Sequence, residues 1–144
     1  MSEATPQTVA ADLAQAQLDA YNARDIEGFL ACYADDVKIY AYPDTLMCEG
    51  KEAMRSRYAG RFSDPNMYAY VAHRTTMGNT VLDHEYVRTT VPLGLAVLQV
   101  MAVYQIEGGK IAEVRFIYGP QEVGGQMPDG SGAPALALGE LENR

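Results

Sequence analysis

Apolar positions recur at helical spacing in the first sixty residues and at strand spacing beyond Pro65. Val9, Leu13, Ala16, Ala20 and Tyr21 share one helical face behind Thr5 as N-cap and Pro6 as first helical residue, predicting a helix to about Ala23. Asp25 is an N-cap for a second, short helix with Ile26, Phe29, Leu30 and Tyr33 on its apolar side, weakened slightly by Gly28. Asp35 and Asp36 read as a turn, and Val37 to Tyr42 as a strand ended by Pro43 and Asp44. Gly50 to Phe62 reads as a third helix with Met54, Tyr58 and Phe62 as its stripe and Arg55, Arg57 and Arg61 largely off it.

Four strands are predicted after that: Met67 to Met77, Thr80 to Val91, Leu95 to Glu107 and Lys110 to Tyr118. Gly78-Asn79 and Gly108-Gly109 supply tight turns, and Pro92 and Gly94 break the chain between the middle pair. Gly119 to Arg144 is rich in Gly, Pro and Ala and reads as a tail, with a short helical turn at Ala135 to Leu141. Helices followed by a meander of strands predict an α+β domain over residues 1–120 and a tail over 121–144.

At 144 residues the chain is long enough to bury a core, and its 48% hydrophobic content is that of a globular protein. A net charge of -8 repels phosphate backbones and anionic membrane surfaces, which argues against nucleic-acid and membrane partners. Cys32 and Cys48 read as free thiols in a reducing compartment. The polar N-terminus lacks a signal-peptide pattern, and the apolar run Leu93 to Val103 is too short to span a bilayer, so a cytoplasmic location is expected. Phosphate-loop, dinucleotide, zinc-protease and serine-hydrolase motifs do not occur, and neither a metal nor a nucleotide cofactor is expected.

Tyr21-Asn22-Ala23-Arg24-Asp25 through Cys32-Tyr33-Ala34-Asp35-Asp36-Val37 resembles the opening of ketosteroid isomerase-like and SnoaL-like proteins of the nuclear transport factor 2-like superfamily. Gly50-Lys51-Glu52-Ala53-Met54 is similar to the start of their third helix, and Tyr104 through Ile111 to their closing hairpin. Gly78-Asn79-Thr80-Val81-Leu82-Asp83-His84-Glu85 resembles a run in a SnoaL-like branch. The resemblance covers roughly residues 8 to 118 and implies a cone-shaped, curved, mostly antiparallel sheet packed with three N-terminal helices around an apolar cavity. It also implies a homodimer through the open sheet face, with Met101, Val103 and Val87 as apolar contacts.

The alignment implied by the resemblance puts Ala41, Gln17 and Ala102 where ketosteroid isomerase holds its base, its tyrosine and its protonated aspartate, so steroid isomerisation by that mechanism is not expected. Leu82, His84, Tyr86 and Arg88 share one face of their strand, and the alignment turns that face toward the cavity. His84 is then the expected general acid or base, with Arg88 as carboxylate or enolate binder and Tyr86 beside it. Asp83 and Glu85 are expected on the other face, paired with Arg74 or His73 or at a dimer surface, unless a bulge between them flips the register and brings one of them into the cavity. Tyr104 and Tyr118 are candidate oxyanion donors and Phe116 a wall residue on the cavity-facing register. Asp44 lies near the lost base position, and Arg57 is a further substrate-binding candidate on the third helix. These residues suit either a cofactor-free isomerase, lyase or cyclase acting on a small carbonyl compound, or a small-molecule binding domain without catalysis.

Overall fold

A computed structural model describes residues 5–131. The element order is α1 (Pro6–Ala23), α2 (Ile26–Ala31), β1 (Tyr33–Ala41), β2 (Thr45–Glu49), α3 (Lys51–Phe62), β3 (Tyr68–Met77), β4 (Thr80–Val91), β5 (Gly94–Glu107) and β6 (Lys110–Val123). All six strands form one sheet in the order β2-β1-β6-β5-β4-β3. Only the β1–β6 pair is parallel.

The helix ends follow capping chemistry. Thr5 accepts the Thr8 amide at 3.1 Å, and α1 stops where Arg24 turns left-handed at φ 59° and its N–H reaches the Ala20 and Tyr21 carbonyls. The Asp25 carboxylate accepts the Gly28 amide at 2.9 Å to start α2. A Cβ at Gly28 would stand 2.4 Å from that carboxylate, so the glycine that lowers helix propensity is what admits the cap. The Gly108-Gly109 turn has φ of 57° and 74°, the pair of positive angles that a tight β5–β6 hairpin needs.

Several boundaries differ from the sequence expectation. Asp35 and Asp36 are not a turn: they lie inside β1, at an irregularity in its pairing with β6. β2 was not expected, because Thr45–Glu49 is short, flanked by turn residues and without alternating apolar positions. β6 runs past Tyr118 to Val123, and the chain beyond it packs back through buried Met127 and a Tyr68 hydroxyl bond to Asp129 at 2.9 Å. The described part of the Gly/Pro/Ala-rich segment is thus ordered against the sheet, and the helical turn expected at Ala135 to Leu141 lies outside the described residues. Cys32 and Cys48 are both free and buried. No helix among the described residues is long and apolar enough to cross a membrane.

The core lies between the helices and one face of the sheet. Phe29 packs with Tyr33, Tyr58 and Phe62 at ring separations of 5.0, 4.8 and 5.4 Å. On the sheet side, Val81, Tyr104, Val114 and Ile39 stand in one cross-strand row, and all four are buried. The next row holds Asp83, Ala102 and Phe116, and the one after it Glu85, Val100 and Tyr118.

Candidate functional site

The row that carries Glu85 opens into a cavity of about 80 Å³ between the sheet and the helices. Leu18, Tyr21 and Phe29 close it from the helical side, and Val87, Leu98 and Val100 from the sheet. α3 contributes Tyr58 and Arg61, and β6 contributes Phe116 and Tyr118.

Glu85 is the carboxyl group of this cavity and is only 6% exposed. Its cross-strand neighbours are Val71 on β3 and Val100 on β5, so no polar side chain stands opposite it in the sheet. Burial in this apolar setting pushes its pKa up to about 8. The nearby Asp83 carboxylate pushes the same way, while the Tyr104 hydroxyl and Arg74 partly offset the shift. Glu85 therefore holds its proton at neutral pH.

A relay of hydrogen bonds supports the carboxyl. The Tyr104 hydroxyl donates to Glu85 Oε2 at 3.5 Å and accepts from Gln17 Nε2 at 3.2 Å. The Gln17 amide is oriented at both ends: Nε2 also donates to the Ala14 carbonyl at 3.0 Å, and Oε1 accepts the Tyr33 hydroxyl at 3.0 Å. Burial raises the pKa of Tyr104 and Tyr33 well above the usual tyrosine value, so both hydroxyls remain donors.

Asp83, fully buried, is held by Arg74 through two bonds of 2.7 and 2.9 Å. Arg74 in turn donates to Gln15 on α1 at 2.9 Å. A bulge in β3 between Val71 and His73 makes this possible. Without the extra residue, Arg74 would share a face with Tyr68 and Tyr70; the bulge reverses the alternation and brings it in opposite Asp83.

Two arginines of α3 sit at the mouth. The guanidinium carbons of Arg57 and Arg61 lie 5.8 and 5.2 Å from the centroid of the buried Tyr58 ring. Arg57 also interacts with Tyr118, and its Nε is buried with no hydrogen-bond partner among the described residues. An unsatisfied buried donor of this kind costs about 1–3 kcal/mol unless something accepts from it.

The face expected to meet the cavity is the wrong one. His84 and Tyr86 point to the opposite side of the sheet, where His84 Nε2 meets Gln99 Oε1 at 3.0 Å and the ring stacks on His73 at 6.2 Å. Arg88 lies away from the cavity as well: it is buried against the Tyr68 ring and donates to the Asn66 carbonyl at 2.9 Å. Val87, expected on the open sheet face with Met101 and Val103, instead lines the cavity. Asp44 is exposed in the β1–β2 turn and is not part of the cavity wall. Tyr104, Tyr118 and Phe116 do line the cavity, and Arg57 stands beside it. The pairing of Asp83 with Arg74 is found as expected, but on the inner face.

The sequence reading brought Glu85 inward only through a bulge in its own strand, whereas it enters on a regular register, and it did not single out Arg61 or Tyr33 as site residues. One signal was available for Glu85: Val81 and Val87 share its face and mark it as buried, although Leu82 and Tyr86 make the other face nearly as apolar. Among the described residues no cluster of three or more His, Cys, Asp or Glu side chains could hold a metal ion.

Comparison with known structures places this arrangement in context. An uncharacterized cystatin-fold protein from Novosphingobium aromaticivorans is 32% identical, with a TM-score of 0.69, over 75% of this chain and 97% of that one. A putative ketosteroid isomerase from Kribbella flavida shares the fold at 16% identity and TM-score 0.68, over 81% and 82% of the two chains. A Mycobacterium tuberculosis protein in complex with estradiol-17beta-hemisuccinate does so at 20% identity and TM-score 0.68, over 77% and 94%. No curated protein sequence matches the chain. The SnoaL-like domain model matches residues 14–114, which run from the middle of α1 into β6 and include the Gln17–Tyr104–Glu85 relay, and the chain belongs to the SnoaL-like domain family.

Proposed function

We propose that this protein is a cofactor-free enzyme that moves a proton on a small carbonyl compound, in an isomerisation, dehydration or cyclisation. The observation that supports this reading is Glu85, a buried carboxyl group facing the cavity and held by the Tyr104–Gln17–Tyr33 relay. A carboxyl with a pKa of about 8 is a proton donor at neutral pH. It protonates a carbonyl or leaving oxygen, and the carboxylate so formed takes a proton back from carbon. Tyr104 positions the carboxyl, and Tyr118 offers a second hydroxyl to a developing oxyanion at the mouth.

Size favours a compact substrate. The cavity of about 80 Å³ is near half the volume of an engineered apolar cavity of roughly 150 Å³ that takes benzene. A steroid-sized ligand requires the mouth to open.

The test is proton exchange in deuterated water, followed by NMR on enolisable carbonyl compounds with wild type, Glu85→Gln and His84→Ala. Wild type and His84→Ala are expected to exchange the α-proton or form product, with activity declining as pH rises through about 8. Glu85→Gln is expected to bind the same compound and lose about 10²–10⁴-fold in rate. Equal rates in wild type and Glu85→Gln would overturn the assignment. A compound that binds all three without exchange would make this a non-catalytic binding domain, the reading that the tyrosine-tipped apolar walls support next best.

A further inference from the structure

We propose that the cavity takes short-chain organic acids, their carboxylate held at the mouth by Arg61 with Arg57 beside it and their apolar end directed inward to Glu85. This deepens the proton-transfer reading and, in the placement of Glu85, rests on it.

Lys51, Arg55, Arg74 and Arg115 each meet an acidic side chain, in a chain of net charge -8. Arg61, which lines the cavity, and Arg57, next to it, meet none among the described residues. Both instead lie against the same buried Tyr58 ring, which fixes their guanidinium groups beside the opening. Arg57 adds a buried Nε–H without an acceptor among those residues. Arg61 is hydrogen-bonded to Tyr21 and Arg57 to Tyr58 and Tyr118, but with no carboxylate on either among the described residues, two positive charges at one cavity mouth of an acidic protein present a site for an anion from outside.

The interior selects the rest of the ligand. Leu18, Val87, Leu98 and Val100 contribute apolar wall, and its carboxyl group, Glu85, is protonated at neutral pH and so does not repel an anion. A guanidinium at the mouth disfavours an amine in the same place. The cavity volume of about 80 Å³ limits the buried part to a few heavy atoms. A carboxylate, a planar group matched to the guanidinium fork, fits the mouth, and a carbonyl with its neighbouring carbon fits the interior.

Pyruvate and levulinate, with their primary amides as neutral counterparts, test this by ligand-observed NMR titration. The acids are expected to bind wild type more tightly than the amides. Arg61→Gln is expected to weaken acid binding roughly 10- to 100-fold, with little effect on the amides, and Arg61→Lys to restore part of it. Glu85→Gln is expected to keep acid binding. Circular dichroism melts check that the Arg61 variants, altered at an exposed position, remain folded. Amides that bind as well as acids, acid binding indifferent to Arg61→Gln, or no acid binding to wild type would each overturn the proposal. Arg61-dependent binding without deuterium exchange would uphold it while removing Glu85 from proton transfer.

Discussion

Between the ordinary glutamate pKa of 4.5 and about 8, the folded chain keeps on Glu85 a proton that the unfolded chain has released. Folding therefore takes up a proton in that window, and stability falls as pH rises, by about 1.4 kcal/mol per unit from this group. Below the window both states are protonated, and above it both are ionised. Glu85→Gln removes the linkage while keeping the shape. The variant is expected to be more stable than wild type above neutrality and to have a flatter pH dependence in urea unfolding between about pH 5.5 and 7.5. Identical slopes for the two proteins would mean that Glu85 ionises normally in the fold. At this scale the sequence was only partly legible: an acid between an aspartate and a valine on a strand face can be a surface charge or a buried acid, and only its neighbours decide. Val71 and Val100 across the sheet, and the helices above, are what raise its pKa.

At the scale of elements, the β3 bulge sets the polarity of the inner face. It brings Arg74 in against Asp83, which is fully buried and would otherwise be an unpaired charge in the core. Arg74→Met is expected to cost about 3–5 kcal/mol in chemical denaturation, since it strands that carboxylate. Adding Asp83→Leu to Arg74→Met is expected to recover most of the loss, because an apolar pair of similar size needs no partner. A single variant as stable as wild type would mean that Asp83 is solvated by another route. The helix caps at Thr5 and Asp25 and the glycine turns were readable directly, since each depends on a few adjacent residues. The bulge was not, because nothing in Val71-Ala72-His73 marks an extra residue until the strand is paired with β4.

At the scale of the whole molecule, one aromatic cluster serves both core and cavity. Phe29 touches four rings of the cluster, lines the cavity and is 2% exposed. Phe29→Ala is expected to lose about 3–5 kcal/mol of stability, read from the urea midpoint, and to enlarge the cavity. Loss of less than about 1 kcal/mol would mean that α2 collapses into the space and that the cavity wall is soft.

The three helices, five of the six strands, the two glycine turns and the family were determined by sequence alone, because caps, periodicity and turn residues act over short stretches; the short β2 and the strand path through Asp35 and Asp36 were not. The same periodicity determined that His84 shares a face with Tyr86, and Glu85 with Asp83 and Val87. Which of those faces lies inside was decided by the tertiary structure. A period of two is the same seen from either side of a sheet, and only the bulged pairing with β3 and the packing of the helices over one side distinguish the two.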